Sequence, residues 1–161
     1  MPMKSNKVLL IPLVCVGLIL IGLMISLSTS KPTTREMTLN LPEPLASELP
    51  AEGTYLLNFF ASWCVPCLAE HRVFMQEAQQ SDAIPLYGVA YKDEDSARWL
   101  RRFGNPYEKV IDDRAGDIAL TVGMSGVPTT YIIKDGVIRY RHAGAVDEYD
   151  YEKFQELIAG F

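Results

Sequence analysis

The sequence predicts a layered α/β domain with a mixed sheet, on three observations. An apolar run from Tyr55 to Ala61 breaks at Ser62-Trp63 and leads into a helical pattern opened by Cys64-Val65-Pro66-Cys67. A second strand-and-helix pattern follows between Pro85 and Phe103. Two later apolar runs, Thr129–Lys134 and Val137–His142, are joined by Asp135-Gly136, a tight hairpin signal. Strands that alternate with helices run parallel, and a hairpin adds an antiparallel edge.

In chain order, Lys4 and Lys7 precede an uncharged stretch of 20 residues, Val8 through Leu27. As a helix it would be about 30 Å long, the thickness of a bilayer's hydrocarbon core. Positive charge before it predicts that residues 1–7 stay in the cytoplasm, that 8–27 form a single-pass transmembrane anchor, and that the domain lies on the far side. The competing reading is a cleaved signal peptide, whose apolar region is typically about 7–15 residues. Ser26-Leu27-Ser28 could serve as a weak cleavage site. Cys15 reads as a packing or lipid-facing residue, because Val14 stands where a lipoprotein signal needs a small residue. Residues 28–53 contain Pro32, Pro42, Pro44 and Pro50 and read as a linker, with Thr38–Leu41 able to add an edge strand. The folded domain is then 54–161.

Within it, Tyr55–Ala61 is apolar on both faces and should be a central strand. Cys64 to about Gln80 carries Leu68, His71, Phe74, Met75 and Ala78 at helical spacing. Pro85–Tyr91 is the next strand. Asp93 or Asp95 can cap the helix through Trp99, Leu100 and Phe103, which Gly104-Asn105-Pro106 stops. A charged turn such as Lys92-Asp93-Glu94-Asp95 is expected to be solvated. Lys109–Ile111 is a short strand, Ile118–Val122 a short helix, and Asp147–Ile158 the closing helix.

A Cys-x-x-Cys pair at a strand-to-helix junction is the thioredoxin-like redox signature. With the element order, it predicts a thioredoxin-like three-layer fold around a central mixed sheet. Cys64 at the helix start meets the positive end of the helix dipole, which favours its thiolate, and Pro66 suits a first turn. Cys64 is therefore the expected nucleophile and Cys67 the deeper resolving thiol. In such a fold the proline that precedes the hairpin strand is often cis, so Val127–Pro128 is expected to be cis and its backbone to pair with an extended partner. Trp63, Val127 and Pro128 are the residues expected to touch substrate. Glu70 lies one turn after Cys67, where a desolvated carboxylate could move that thiol's proton.

Other chemistries fit less well. Zinc would need a second close pair of ligands beside Cys64 and Cys67, and His71 and His142 do not form one, so neither a metal nor a cofactor is expected. The net charge is −5, and the two lysines before residue 30 contribute +2, leaving −7 for the remainder. With no basic patch, nucleic acid is excluded as a partner. Peroxide-reducing relatives place their reactive cysteine differently.

The chain resembles the CcmG/DsbE family, the membrane-anchored thioredoxin-like thiol:disulfide interchange proteins of cytochrome c maturation. The matching pieces are Leu57-Asn58, Trp63-Cys64-x-x-Cys67, Ala69-Glu70-His71, Tyr91-Lys92-Asp93, Trp99-Leu100, Gly104-Asn105-Pro106-Tyr107, Gly126-Val127-Pro128 and Ile138 to Gly144. The resemblance implies a periplasmic reductant in the inner membrane, fed by a membrane thiol transporter of DsbD/CcdA type. Its substrate would be oxidised apocytochrome c or a maturation-complex thiol protein. It implies Cys64 and Cys67 as the redox pair, Glu70 as an acid beside them, Pro128 as the cis proline, and a monomer as the default. The alternatives are an anchored reductant of other exported proteins, or a non-enzymatic module that holds apocytochrome. Two departures stand out. Many relatives carry glutamate where this chain has Thr129, and the segment before Tyr55 is short and poorly matched to the family's N-terminal hairpin. In addition, Asn58 stands where thioredoxin itself has a buried aspartate. Without that acid, any buried proton acceptor must lie elsewhere, which favours Glu70.

Overall fold

The computed structural model describes residues 39–161. The proposed anchor, Cys15 and the first part of the linker lie outside the described residues. Among the described residues, no helix is long and apolar enough to cross a membrane.

Among the described residues, six strands form one sheet: β1 (Leu39–Asn40), β2 (Thr54–Phe60), β3 (Leu86–Tyr91), β4 (Lys109–Asp113), β5 (Thr129–Lys134) and β6 (Val137–Ala143). Their order is β1-β6-β5-β2-β3-β4. β2, β3 and β4 run parallel, while β5 is antiparallel to both β2 and β6. The sheet is mixed as expected, although β5 lies in its interior. The edges are β4 and the two-residue β1. Asp135 (φ 50°) and Gly136 (φ 71°) both adopt the left-handed conformation that a two-residue hairpin turn requires.

Five helices of the described residues cover the sheet: α1 (Leu45–Glu48), α2 (Val65–Glu77), α3 (Ser96–Phe103), α4 (Asp117–Thr121) and α5 (Glu148–Ala159). Because side chains alternate along a strand, β2 sends Leu56 and Phe60 into one core and Tyr55, Leu57 and Phe59 into the other. The first core is closed by α2, α3 and α5 through Phe74, Trp99, Leu100, Tyr151 and Phe154. The second is closed by α1 and α4 through Leu45, Ile118 and Ala119. These are the three expected layers.

Two segments differ from what their sequence predicts. Leu39–Asn40 is the edge strand expected within Thr38–Leu41, paired with β6, but residues 41–53 do not form a tether, since Leu41, Leu45 and Leu49 are buried against the sheet. Pro42 and Pro44 stand between Leu41 and Leu45 and Pro50 follows Leu49, and the apolar burial of these leucines fixes the segment. Nor is the turn after β3 merely solvated. Asp95 occupies the N-cap of α3 without a side-chain capping bond, and Asp93 is buried at 4 % exposure and bonds elsewhere. The closing helix is capped by a reciprocal box between Asp147 and Asp150.

Candidate active site

β2 ends at Phe60, and the chain turns through Ala61–Cys64, closed by the Cys64 N–H donating to the Ala61 carbonyl at 3.2 Å. Cys64 is the N-cap of α2 in extended backbone, and its sulfur accepts the Cys67 N–H at 3.2 Å. That is the job an N-cap oxygen usually does, so a free amide and the positive end of the helix are both directed at this sulfur. Pro66 in the first turn forfeits no helical bond. Cys64 and Cys67 are joined in a disulfide with Cα atoms 5.3 Å apart. Cys64 is 6 % exposed and Cys67 1 %, which orders them as outer and inner sulfur. Trp63 and Val65 flank the outer one as exposed apolar side chains.

The Val127–Pro128 bond is cis. Val127 packs against the core cluster that contains both cysteines. The loop before it is held by Thr129 Oγ1 donating to the Gly126 carbonyl at 2.7 Å and by Arg141 Nη2 donating to Ser125 Oγ at 3.2 Å. Thr129 itself is buried.

One turn below Cys67, Glu70 is 1 % exposed. Its two oxygens accept from Asn58 Nδ2 at 2.9 Å and from the Val146 amide at 3.2 Å. Burial pushes its pKa up to about 8, against the opposing pull of these two hydrogen bonds. Asn58, fully buried in the central strand, uses its second amide hydrogen on Thr130 Oγ1 at 3.0 Å and accepts from the Tyr107 hydroxyl at 2.8 Å. Burial, with the Glu70 carboxylate nearby, holds Tyr107 well above the ordinary phenol value. Its ring stacks on Phe60 at 4.8 Å and fits beside Gly88, where a Cβ would stand 3.0 Å from both rings. The network therefore has every amide hydrogen and acceptor of Asn58 in use.

The structure brings Cys64, Cys67, Trp63 and Glu70 together on one junction and helix. It assigns both histidines within the fold: His71 sits edge-on to Trp99 at 4.4 Å, and His142 pairs with Asp150 at 3.6 Å. Burial lowers the pKa of His71. Sequence reasoning gave no role to Tyr107, Thr130 or the Val146 amide. The available signal was Asn58, a polar residue inside an apolar strand, which must find buried partners.

Fold and site together define a thioredoxin-like dithiol protein. The redoxin family profile matches residues 31–158. A thiol:disulfide interchange protein DsbE of Vibrio cholerae is 34% identical over 176 aligned positions, covering 96% of this chain and 93% of that protein. A DsbE of Haemophilus influenzae is 42% identical over 96 residues, covering 58% of this chain and 52% of that one. The chain belongs to the redoxin family and, within it, to the DsbE thiol:disulfide interchange proteins. It spans little more than half the length of several of the curated relatives that it matches. A crystal structure from Chlorobium tepidum, described as a thiol:disulfide interchange protein DsbE, shares the fold with a TM-score of 0.58. Its identity is 22%, over 77% of this chain and 95% of that one.

Proposed function

We propose that the protein is a thiol:disulfide oxidoreductase that works as a reductant in cytochrome c biogenesis. The observation that carries this reading is Cys64 at the N-cap of α2, its sulfur on the Cys67 amide, with Cys67 shielded behind it. In the reduced protein the Cys64 thiolate attacks one sulfur of a partner disulfide and expels the other as a thiolate. Cys67, losing its proton, then attacks the Cys64 sulfur of the mixed disulfide. The partner leaves as a dithiol, two electrons richer, and the Cys64–Cys67 disulfide remains. Glu70 is the group assigned to the proton of Cys67. With a pKa of about 8 it takes that proton during oxidation of the pair and returns it during reduction. Trp63 and the Val127–Pro128 backbone receive the partner chain.

The relatives' description as DsbE proteins supports apocytochrome c, or a thiol protein that carries it, as substrate, and a membrane thiol transporter of DsbD/CcdA type as electron donor. The sequence pattern of residues 1–38 supports a periplasmic domain on a single inner-membrane anchor at 8–27. The test is trapping in native cells with full-length Cys67→Ala, which leaves Cys64 linked to whatever it attacks. Recovery of apocytochrome c or a maturation-complex thiol protein bears the reading out. Recovery of unrelated exported proteins replaces it with a general reductant. Normal cytochrome c assembly in Cys64→Ala cells overturns the redox role.

A further inference from the structure

Between β2 and α2, the Ser62-Trp63 turn that delivers Cys64 has lost its sheet partners, because β2 stops at Phe60. Its two central residues are instead held from 29 and 31 positions away in the sequence. Asp93 accepts the Ser62 amide on Oδ2 and the Ser62 hydroxyl on Oδ1, the latter at 2.7 Å. The Trp63 indole N–H donates to the carbonyl of Lys92 at 3.1 Å. Lys92 has a left-handed φ of 47°, a conformation that costs a non-glycine residue on the order of 1 kcal/mol. It is fixed from the other side by its own amide, which donates to the Asp113 carbonyl at 2.9 Å. Asp93 is buried while Lys92, Glu94 and Asp95 around it are exposed. Its third bond, from the Asp95 amide at 2.9 Å, keeps the carboxylate turned toward Ser62.

We propose that Asp93 is a positioning residue for Cys64: its carboxylate clamps the Ser62 amide and hydroxyl, fixing the turn that presents the nucleophile and the Trp63 ring to a partner chain. The inference rests on the thiol-exchange reading above. Two of the three bonds of Asp93 cross to the active-site turn and only one serves its own loop. Trp63 is 58 % exposed, yet its indole nitrogen is tied down, so the ring is a fixed platform beside the sulfur. The next residue but one after Ser62 is the nucleophile, and loss of about 1 Å in the placement of a reacting group costs up to about a hundredfold in rate.

The test uses the full chain in detergent and a peptide containing a Cys-x-x-Cys-His disulfide. It compares wild type with Asp93→Ala, Asp93→Asn and Ser62→Ala. The readouts are the second-order rate of Cys64 with the peptide and the exchange rate of the Trp63 indole N–H by NMR. Asp93→Ala is expected to slow the peptide reaction roughly ten- to a hundredfold and to speed exchange of the indole proton. Asparagine can still accept from the Ser62 amide and donate to its hydroxyl, giving up only the bond from the Asp95 amide, so Asp93→Asn should recover both readouts in large part. Ser62→Ala, which removes one bond of the clamp and needs no refolding of the β3–α3 turn, should lie between. Wild-type rates in both Asp93→Ala and Ser62→Ala would overturn the proposal. So would an asparagine variant as slow as alanine, because the two bonds to Ser62 would then not be what places Cys64. If Asp93→Ala does not fold, unchanged readouts in Ser62→Ala overturn it alone. A wild-type protein that fails to exchange with any disulfide peptide overturns the functional reading itself, and the clamp with it.

Discussion

The two faces of the sheet use the same central strand in opposite ways. Toward α1 and α4, β2 presents Tyr55, Leu57 and Phe59, and the cluster they join is built from Leu, Ile, Val, Ala and the rings of Tyr and Phe. Toward α2, α3 and α5 it presents Leu56 and Phe60 with Asn58 between them. Asn58 and Glu70 are buried there with both cysteines. An apolar face stabilises in proportion to the area removed from water. A buried polar group costs unless each hydrogen bond is made, so the second face depends on the completeness of its network. On the proposed function, the first face holds the domain together and the second serves the sulfur chemistry, so substitutions on the two should fail differently.

The largest expected effect on stability lies on the apolar face. Leu57→Ala empties a fully buried site in the middle of the sheet and should cost about 3–5 kcal/mol in denaturant unfolding. The reaction of Cys64 with disulfide should be unchanged in whatever fraction stays folded. A loss of thiol reactivity as large as the loss of stability would show that the faces are not separable.

On the polar face the next effect depends on pH. The pKa of Glu70 is about 8 in the folded protein against 4.5 for the free side chain, so the folded state holds the extra proton between those values. Stability must then fall as pH rises from about 4.5 to about 8, by up to about 1.4 kcal/mol per pH unit, and level off above. Glu70→Gln should remove that slope while slowing the step that needs the Cys67 proton moved, by roughly a hundredfold. Unfolding at several pH values and the rate of mixed-disulfide resolution measure the two. A slope retained in Glu70→Gln would assign the titration to another group.

The fold was legible because its signals are periodic. The doubly apolar β2, the Asp135-Gly136 turn and the closing helix α5 each follow from local spacing, and the structure has them within a residue or two. The redox pair was legible because Cys-x-x-Cys is contiguous. The remainder of the site was not, since its contacts are long-range. Tyr107 reaches Asn58 across 49 residues and Val146 reaches Glu70 across 76. Asp93 reads as one acid of a solvated run until the fold carries it to Ser62. Residues 41–53 misled for a related reason. Their leucines are sparse and interrupted by proline, and only the open face beside α4 shows what they cover.

Asn58→Leu probes whether the polar face tolerates conversion into a copy of the apolar one. Leucine is apolar and can pack between Leu56 and Phe60. However, Tyr107 loses its acceptor, Thr130 loses a donor, and Glu70 keeps only the Val146 amide. The cost should be about 1–3 kcal/mol, the desolvation of a stranded polar group offset by the new apolar burial. Because the Asn58 bond lowers the Glu70 pKa, its removal should raise that pKa further, extending the descending limb of the stability profile beyond pH 8. A variant as stable as the parent, with an unchanged profile, would mean that the network contributes neither to fold nor to titration.

The smallest effect concerns Thr129, where the strand leaves the cis proline. By strand alternation with Tyr131 its side chain belongs to the apolar face, opposite Phe59, yet it is polar. Its hydroxyl is satisfied locally, by the Gly126 carbonyl at 2.7 Å. Thr129→Val keeps the shape and removes one hydrogen bond, leaving the carbonyl of half-buried Gly126 without that donor. The loss should be about 1 kcal/mol or less, seen as a small shift in the unfolding midpoint. Its consequence for function should exceed its consequence for stability. The bond ties the loop of Gly126 and Val127 to the strand, so the rate with a peptide disulfide should fall while the rate with a small disulfide reagent, which needs no loop, stays the same. Equal losses with both reagents would place the effect of Thr129 on Cys64 itself and not on the partner's seat.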